Sequence, residues 1–445
     1  MKCSEFMFIY QQNKSLFILS NYFLLTKLLT LYFLNTTFTF THSHYLHHTI
    51  KSSYTKLYSS KKNKIMSSFL VFVVVVAVVV MNVCVAQDYG DVTTATPPSN
   101  GGVARNKELV PAMFVFGDSL IDNGNNNNLP SFAKANYFPY GIDFNDGPTG
   151  RFSNAYTIVD AIAESLGLPL IPAYSQARGG DQVRYGVNYA SAAAGILDVT
   201  GRNFVGRIPF NQQVRNFENT LNQITANLGA DDVGRSLAQC LFFVGMGSND
   251  YLNNYLMPNY PTRNQYNGQQ FANLLVQQYT TQLTRLYNLG GRKFAIAGLG
   301  MMGCIPSILA QSPTGKCSDA VNNLIQPFNA NVKTMLSNLN SKLPGSKFIY
   351  VDIASMFRDI LTRPATYGFK VIDRGCCGIG RNQGQITCLP FQTPCMNREE
   401  YVFWDAFHPT SHVNVILGRK AFNGGSDVAY PMNIQQLAAL NIETD

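Results

Sequence analysis

The sequence predicts a three-layer α/β domain built on a central parallel sheet. Short apolar runs of four to six residues, each ending near Gly, Ser or Asp, alternate with segments long enough for helices. The longer segments are amphipathic, and the alternation continues from Pro111 almost to the carboxyl end. Continuous apolar runs suit strands covered on both faces, as in a parallel sheet.

The runs read as strands are 112–116, 185–190, 240–244, Lys293–Ala297 and Lys347–Val351. The segments read as helices are 156–166, 211–227, 269–288 and Asp319–Lys342. In 269–288, Phe271, Leu274, Leu275, Tyr279, Leu283 and Leu286 recur at three- and four-residue spacing, so one face is apolar and should cover the sheet. In such a fold the loops at the carboxyl ends of the strands line the ligand crevice, and catalytic residues should follow the apolar runs.

Composition is that of a globular protein, with 46% hydrophobic and 13% charged residues in a chain of 445. The formal charge of +8 is unevenly placed. Eight of the 34 basic and one of the 26 acidic side chains fall in residues 1–86, which leaves 26 against 25 beyond that point. A nucleic-acid partner is therefore not expected.

Thirteen apolar residues, 69–81, stand between Lys61, Lys62 and Lys64 on one side and Val83-Cys84-Val85-Ala86 on the other. A basic flank, a short apolar core and small residues before a polar start make a secretory signal, too short for a comfortable membrane span. With Met66 as initiator, the signal is 66–86 and the mature chain starts near Gln87. Residues 1–65 are then untranslated sequence or an alternative start, although the Leu/Phe-rich part 16–34 could instead serve as an anchor. Residues 87–107, with Pro97-Pro98 and Gly101-Gly102, read as a flexible lead-in to one domain over 108–445. No stable membrane anchor is expected in the mature chain.

Of six histidines, His42, His44, His47 and His48 lie in the discarded terminus, leaving His408 and His412. Activating a hydroxyl near neutral pH calls for an imidazole. Asp405, three residues before His408, can accept the Nδ1 proton and hold the base-competent tautomer, and activity should fall as that imidazole protonates. A metal reading of Asp405, His408 and His412 fails on two counts. Pro409 suits the first position of a helix, which leaves His408 in the loop before it, and no third histidine is at hand. Neither metal nor cofactor is expected.

Three residues follow the first three apolar runs: Ser119, Gly195 and Asn249. Ser119 alone reads more readily as a helix cap than as a nucleophile, and it lacks the G-x-S-x-G elbow because Ile121 takes the place of the second glycine. Its neighbours Asp118 and Asp122 read as loop-ordering, and the asparagine run 125–128 as either low complexity or a turn-rich active-site loop. Gly195 could offer its N–H to an oxyanion where a Cβ would crowd the substrate, or be a turn glycine. Asn249 could add an amide donor, or form a polar turn with Asp250.

With these residues placed, the chain resembles the GDSL-type esterase/lipases of the SGNH hydrolase superfamily, in particular the plant secreted branch. The likeness runs over roughly residues 110–440 and rests on four blocks in order, FVFGDSLIDNGNNN, NYASAAAGILD, VGMGSNDY and DAFHPT. PTGRFSNAYTIVD, GLGMMGCIPS and the RGCCGIG region support it. The resemblance implies a flavodoxin-like α/β/α fold. It also implies Ser119 as nucleophile, Asp405 and His408 completing a triad, and Ser119, Gly195 and Asn249 forming the oxyanion hole.

Past the leader, seven cysteines remain, and a secreted chain makes disulfides permissible. Cys240 opens an apolar run and reads as a buried thiol. Proximity favours Cys304 with Cys317, and Cys376 and Cys377 with Cys388 and Cys395 in either order. No N-x-S/T sequon follows Gln87.

The expected function is a secreted serine esterase or lipase, in the apoplast or cell wall, acting on small-molecule or lipid acyl esters. An acyltransferase that passes the acyl group to a hydroxy acceptor, such as a cutin-like polyester, would use the same residues. A non-catalytic wall-binding protein on the same scaffold is the rival from another class.

Overall fold

The computed structural model describes residues 108–177, 180–228 and 230–443. The expected signal 66–86, residues 1–65 and the lead-in to 107 lie outside them. Four parallel strands, β1 (Met113–Gly117), β2 (Leu241–Gly245), β3 (Lys293–Ala297) and β4 (Lys347–Val351), pair in that order and in register. Gly117, Gly245, Ala297 and Val351 consequently end at one level. Val371–Gly375 (β5) and Tyr401–Phe403 (β6) form a separate parallel pair, and Ala429–Tyr430 (β7) runs antiparallel to β4.

Among the described residues, the helices of six residues or more are α1 (Ile158–Ser165), α2 (Phe210–Leu228), α3 (Ala230–Gln239), α4 (Gly268–Asn288), α5 (Pro306–Gln311), α6 (Asp319–Lys342), α7 (Ile353–Thr362), α8 (Ser411–Asn423) and α9 (Ile434–Ala439). Their starts are written locally. Asn267 caps α4 in a capping box with Gln270, and Ser318 caps α6 by accepting from Val321 N.

Alternate strand residues face opposite layers, which is why the runs are apolar throughout. Phe114, Phe116, Phe242, Val244, Phe294 and Phe348 pack with Phe217 of α2, Phe271 and Tyr279 of α4 and Phe328 of α6. Met113, Val115, Leu241, Phe243, Ala295 and Ile349 pack with Ile162 of α1, Met356 of α7, Leu417 of α8 and Leu437 of α9. The result is the expected three-layer α/β/α arrangement around a mostly parallel sheet. Phe271, Leu275, Tyr279, Leu283 and Leu286 are fully buried on the α4 face, while Leu274 is half-buried at its edge.

Two expectations are corrected. The run 185–190 is not a regular strand. It follows β1 through bonds from Met113 N to Tyr185 O (3.0 Å) and Val115 N to Val187 O (3.1 Å), with one bridge to it, from Asn188 to Val115. Gly186 breaks the ladder, because its φ of +107° is outside the strand range and a Cβ there would stand 1.9 Å from Met113 O. Pro409 is not the first residue of a helix either. It bridges Phe403, and α8 starts two residues later behind Thr410, whose hydroxyl caps Val413 N. Among the described residues, no helix is long and apolar enough to cross a membrane.

Candidate active site

The nucleophile candidate is presented by a turn at the end of β1. Ile121 N (3.2 Å) and Asp122 N (2.9 Å) both donate to Asp118 O, and Leu120 N donates to Asp118 Oδ1 (3.0 Å). The turn can press against the sheet because residue 117 is glycine: a Cβ there would stand 2.3 Å from Ile121 Cδ1 and 2.8 Å from Gly245 O. Ser119 is left half-buried at the turn's apex, and its N–H takes no partner among the described residues.

Asp405 and His408 occupy the loop between β6 and α8. Trp404 N donates to His408 O (2.8 Å), which closes the loop tightly. Asp405 Oδ1 accepts from Phe407 N and His408 N (2.8 Å each), and its carboxylate lies 2.8 and 2.9 Å from His408 Nδ1. The far nitrogen, Nε2, is 2.8 Å from Ser119 Oγ, across 289 residues of sequence. Burial alone would raise the Asp405 carboxyl. The His408 imidazole beside it and bonds from His408, Tyr140 and Phe407 overcome that and hold it below its ordinary value. Asp118 goes the other way: burial pushes it up to about 6, against the Leu120 N–H and the nearby His408.

Two side chains that the sequence did not single out complete the acid end. Tyr140 Oη donates to Asp405 Oδ2 (2.6 Å) and Thr387 Oγ1 donates to the same oxygen (3.1 Å). Tyr140 is 265 residues from Asp405, and no local pattern marks it. Thr387 had one available signal, its position beside Cys388. The disulfides are Cys304–Cys317, Cys376–Cys395 and Cys377–Cys388, with Cys240 buried and free. The last two anchor the segment carrying Thr387, and Cys376 N and Cys377 N donate to Phe403 O (2.9 Å) and Trp404 O (2.7 Å).

Asn249 sits in a single helical turn after β2 and lines the cavity at Ser119. Asn253 Nδ2 donates to Asn249 Oδ1 (2.6 Å), and Asn249 Nδ2 donates to Ala194 O (2.9 Å). The amide nitrogen is thereby fixed with one N–H spoken for and the second available. Gly195 is placed differently from the expectation. It is not in the cavity wall, and a Cβ on it would meet Thr200 Cγ2 (2.5 Å) and Asp250 Oδ1 (2.7 Å) rather than a substrate. The residue of that segment that reaches the cavity is Ala193, at φ +65°, whose N–H has no partner among the described residues. The Ser191–Ala194 turn, closed by Ala194 N to Ser191 O (3.1 Å), puts it there. A non-glycine in the left-handed region was the signal, and only coordinates carry it.

The flanking polar residues order these loops. Asp122 accepts from Gly124 N, Asn125 N (both 2.8 Å) and Ala192 N (2.9 Å). Asn125 Nδ2 donates to Asn188 O and Ala190 O, and Asn126 Nδ2 to Ala192 O. The asparagine run is thus a built loop that joins the Ser119 turn to the Ala193 turn. Asp250 accepts from Ile196 N, Leu197 N and Thr200 Oγ1, tying the other end of that segment to the Asn249 turn. His412 is not part of the site: its Nδ1 lies 2.9 Å from Glu399 O and its ring packs on Phe369. No group of three or more His, Cys, Asp or Glu able to hold a metal occurs among the described residues.

The cavity at Ser119 encloses about 1090 Å³, including the solvent at its mouth. Its wall is mainly apolar, with Leu120, Phe132, Leu252, Met302 and Phe357 around the polar group of Ser119, Asn249 and His408. A carbonyl seated beside Ser119 Oγ would have donors on one side and a basic nitrogen on the other.

The profile of the GDSL-like lipase/acylhydrolase family matches residues 113–421. Three proteins of Arabidopsis thaliana, each called a GDSL esterase/lipase, are similar to the chain along nearly their whole length. They are 70%, 53% and 52% identical over 349, 342 and 345 residues, spanning 78%, 76% and 76% of this chain and 91%, 94% and 95% of their own. With a parallel three-layer sheet, a serine at the end of its first strand and an imidazole in reach of it, the chain belongs to the GDSL-type lipase/acylhydrolase family and is a carboxylic ester hydrolase.

Proposed function

We propose that Ser119 is the nucleophile of an esterase that works through an acyl-enzyme. The unbroken line from Ser119 Oγ through the His408 imidazole to the Asp405 carboxylate carries this reading. His408 Nε2 takes the hydroxyl proton as Oγ attacks the ester carbonyl, and Asp405 steadies the imidazolium that forms. The same proton passes to the departing alkoxide. Water then attacks the acyl-enzyme, with His408 again as base, and releases the acid.

The oxyanion is assigned to Ser119 N–H, Ala193 N–H and Asn249 Nδ2. Ala193 takes the part first expected of Gly195, because the turn at Ala193 is what reaches the cavity. Gly195 serves one step back, by leaving room for Thr200 and the Asp250 carboxylate. Residues 108–445 act as one hydrolase domain, secreted by way of the segment 66–86.

The test is labelling with a fluorophosphonate, which reacts only with an activated serine, followed by turnover of simple carboxylic esters. Ser119→Ala should remove the label and lower kcat by at least about 10³-fold with the fold unchanged. A variant that still turns over ester at the parent rate would end the proposal.

A further inference from the structure

We propose that a second, apolar chamber behind Leu120 is the acyl subsite, and that it takes a long, unbranched fatty acyl chain. The inference rests on the esterase reading and names the substrate class of that same site.

The chamber spans about 560 Å³, including the solvent at its mouth, and shares Leu120, Ser248, Gly300, Ile353, Phe357 and Pro409 with the catalytic cavity. From that shared wall it extends under the nucleophile loop to the carboxyl ends of β2 and β3, where Gly245, Met246, Ala297 and Leu299 face it. Among the described residues, Ser248 and Asn414 are its only polar side chains and no charged group reaches it. The Asn414 amide is engaged, since its Nδ2 donates to Tyr156 O (2.8 Å). Such a space accepts methylenes, while a free carboxylate or a sugar hydroxyl placed there would lose its water without replacement.

A third space shares Phe204, Leu252, Asn253 and Phe407 with the catalytic cavity and is different in kind. Asn203, Arg263, Gln311, Ser312 and Gln385 line it beside Leu256, Met257 and Ile308, so it is mixed in character and the more polar of the two. Because His408 must hand its proton to the leaving oxygen, the alcohol part of the ester belongs beside the imidazole, next to Phe407. The groove with more polar partners therefore suits the alcohol, and the apolar chamber is left for the acyl chain.

Gly245 marks the chamber's floor. A Cβ added there would stand 3.6 Å from Ile121 Cδ1, 3.7 Å from Phe243 Cε1 and 3.8 Å from Ala297 Cβ, which is ordinary contact, and its φ is not positive. Gly117 and Gly298 are different, since a Cβ would collide with Ile121 at the first and with Tyr350 Oη, 1.9 Å away, at the second. Neither backbone nor packing demands a glycine at 245. What a side chain there would consume is the chamber itself.

The experiment compares p-nitrophenyl butanoate with p-nitrophenyl dodecanoate on the full enzyme and on Gly245→Leu and Gly245→Ala. Each methylene moved from water into the chamber can raise kcat/KM by up to about fourfold, so the parent should favour dodecanoate. Gly245→Leu should lower the dodecanoate-to-butanoate ratio of kcat/KM by at least about tenfold, and Gly245→Ala by about two- to fourfold. The alanine variant keeps the test open where the leucine variant does not fold, as judged by its Tm. A second readout needs no turnover: dodecanoate titrated into Ser119→Ala by calorimetry should bind at least about tenfold more weakly once Gly245→Leu is added. A parent that prefers butanoate, or a ratio indifferent to residue 245 in folded variants, overturns the chamber while leaving the esterase reading intact. A parent that cleaves neither ester yet binds dodecanoate in a manner sensitive to residue 245 overturns the esterase reading and keeps the chamber.

Discussion

Two loops meet at Ser119 Oγ, and different forces hold them. The nucleophile loop is bound by carboxylate and amide bonds to backbone: Asp122, Asn125 and Asn126 reach the segment 188–192, and Asp250 holds the chain beyond it at Ile196 and Leu197. The loop carrying Asp405 and His408 relies on covalent links and distant side chains. Two disulfides fasten the Thr387 segment, and Tyr140 arrives from the opposite end of the chain. The contrast follows from what each loop does. In the proposed mechanism the first must aim backbone N–H groups, which needs fixed peptide planes. The second must hold one buried carboxylate charged and correctly turned, which needs donors from several directions.

The comparison can be broken at its strongest point first. Asp405→Asn should leave the packing intact but favour the wrong imidazole tautomer, lowering kcat by about 10⁴-fold. Steady-state kinetics on a variant with parental circular dichroism checks it, and a loss under tenfold would show that Asp405 is not the orienting group. Asn249→Ala removes the amide donor proposed for the oxyanion and should cost about 10²–10³ in kcat with little change in KM.

Smaller effects separate the two kinds of support. Tyr140→Phe deletes a single charge-assisted bond to Asp405, and a fall of about tenfold in kcat is expected with Tm nearly unchanged. Asn125→Ala should do the reverse. It leaves Ala190 O without its donor and Ser175 N without its acceptor, while Asn188 O keeps only Tyr174 N, which costs about 2–3 kcal/mol in denaturant unfolding, and it touches no reacting atom. Equal effects of both variants on both readouts would erase the distinction drawn here.

The smallest effect is in the pH dependence of stability, where the loops should differ in sign. Burial raises Asp118, Asp122 and Asp250 from 3.8 to about 6 each. Their contribution is complete below 3.8 and is lost as pH rises through about 6. Asp405 is lowered, so its contribution is present above 3.8 and is lost as pH falls below that value. Tm should accordingly peak in the mildly acid range, a few degrees above its value at neutral pH. In Asp118→Asn that rise toward acid pH should shrink. A Tm that climbs steadily to neutrality would contradict the assignment.

Much of this architecture could be read from residue order. The Phe-rich strands were visible because both faces of each are covered, and Asp319–Lys342 and the α4 segment because their apolar residues repeat at helical spacing. Ser119, Asn249 and His408 were legible because each stands in a loop next to a strand or helix. The run 185–190 misled because its apolar content is that of a strand, while the left-handed backbone of Gly186 leaves no mark in hydropathy. Ala193 was passed over in favour of Gly195 for a related reason. Glycine signals backbone freedom in a sequence, yet here an alanine takes the left-handed turn and the glycine makes room for Thr200.

By itself, the sequence determined the four parallel strands, the layers that cover them, and which serine, histidine and aspartate could do chemistry, because periodicity and short-range spacing are local properties. Only tertiary structure decided that Tyr140 and Thr387 share the Asp405 carboxylate, that Ala193 faces the cavity, and that Gly245 floors an apolar chamber. These depend on distances between residues far apart in the chain, and such distances exist only after the two layers have closed on the sheet.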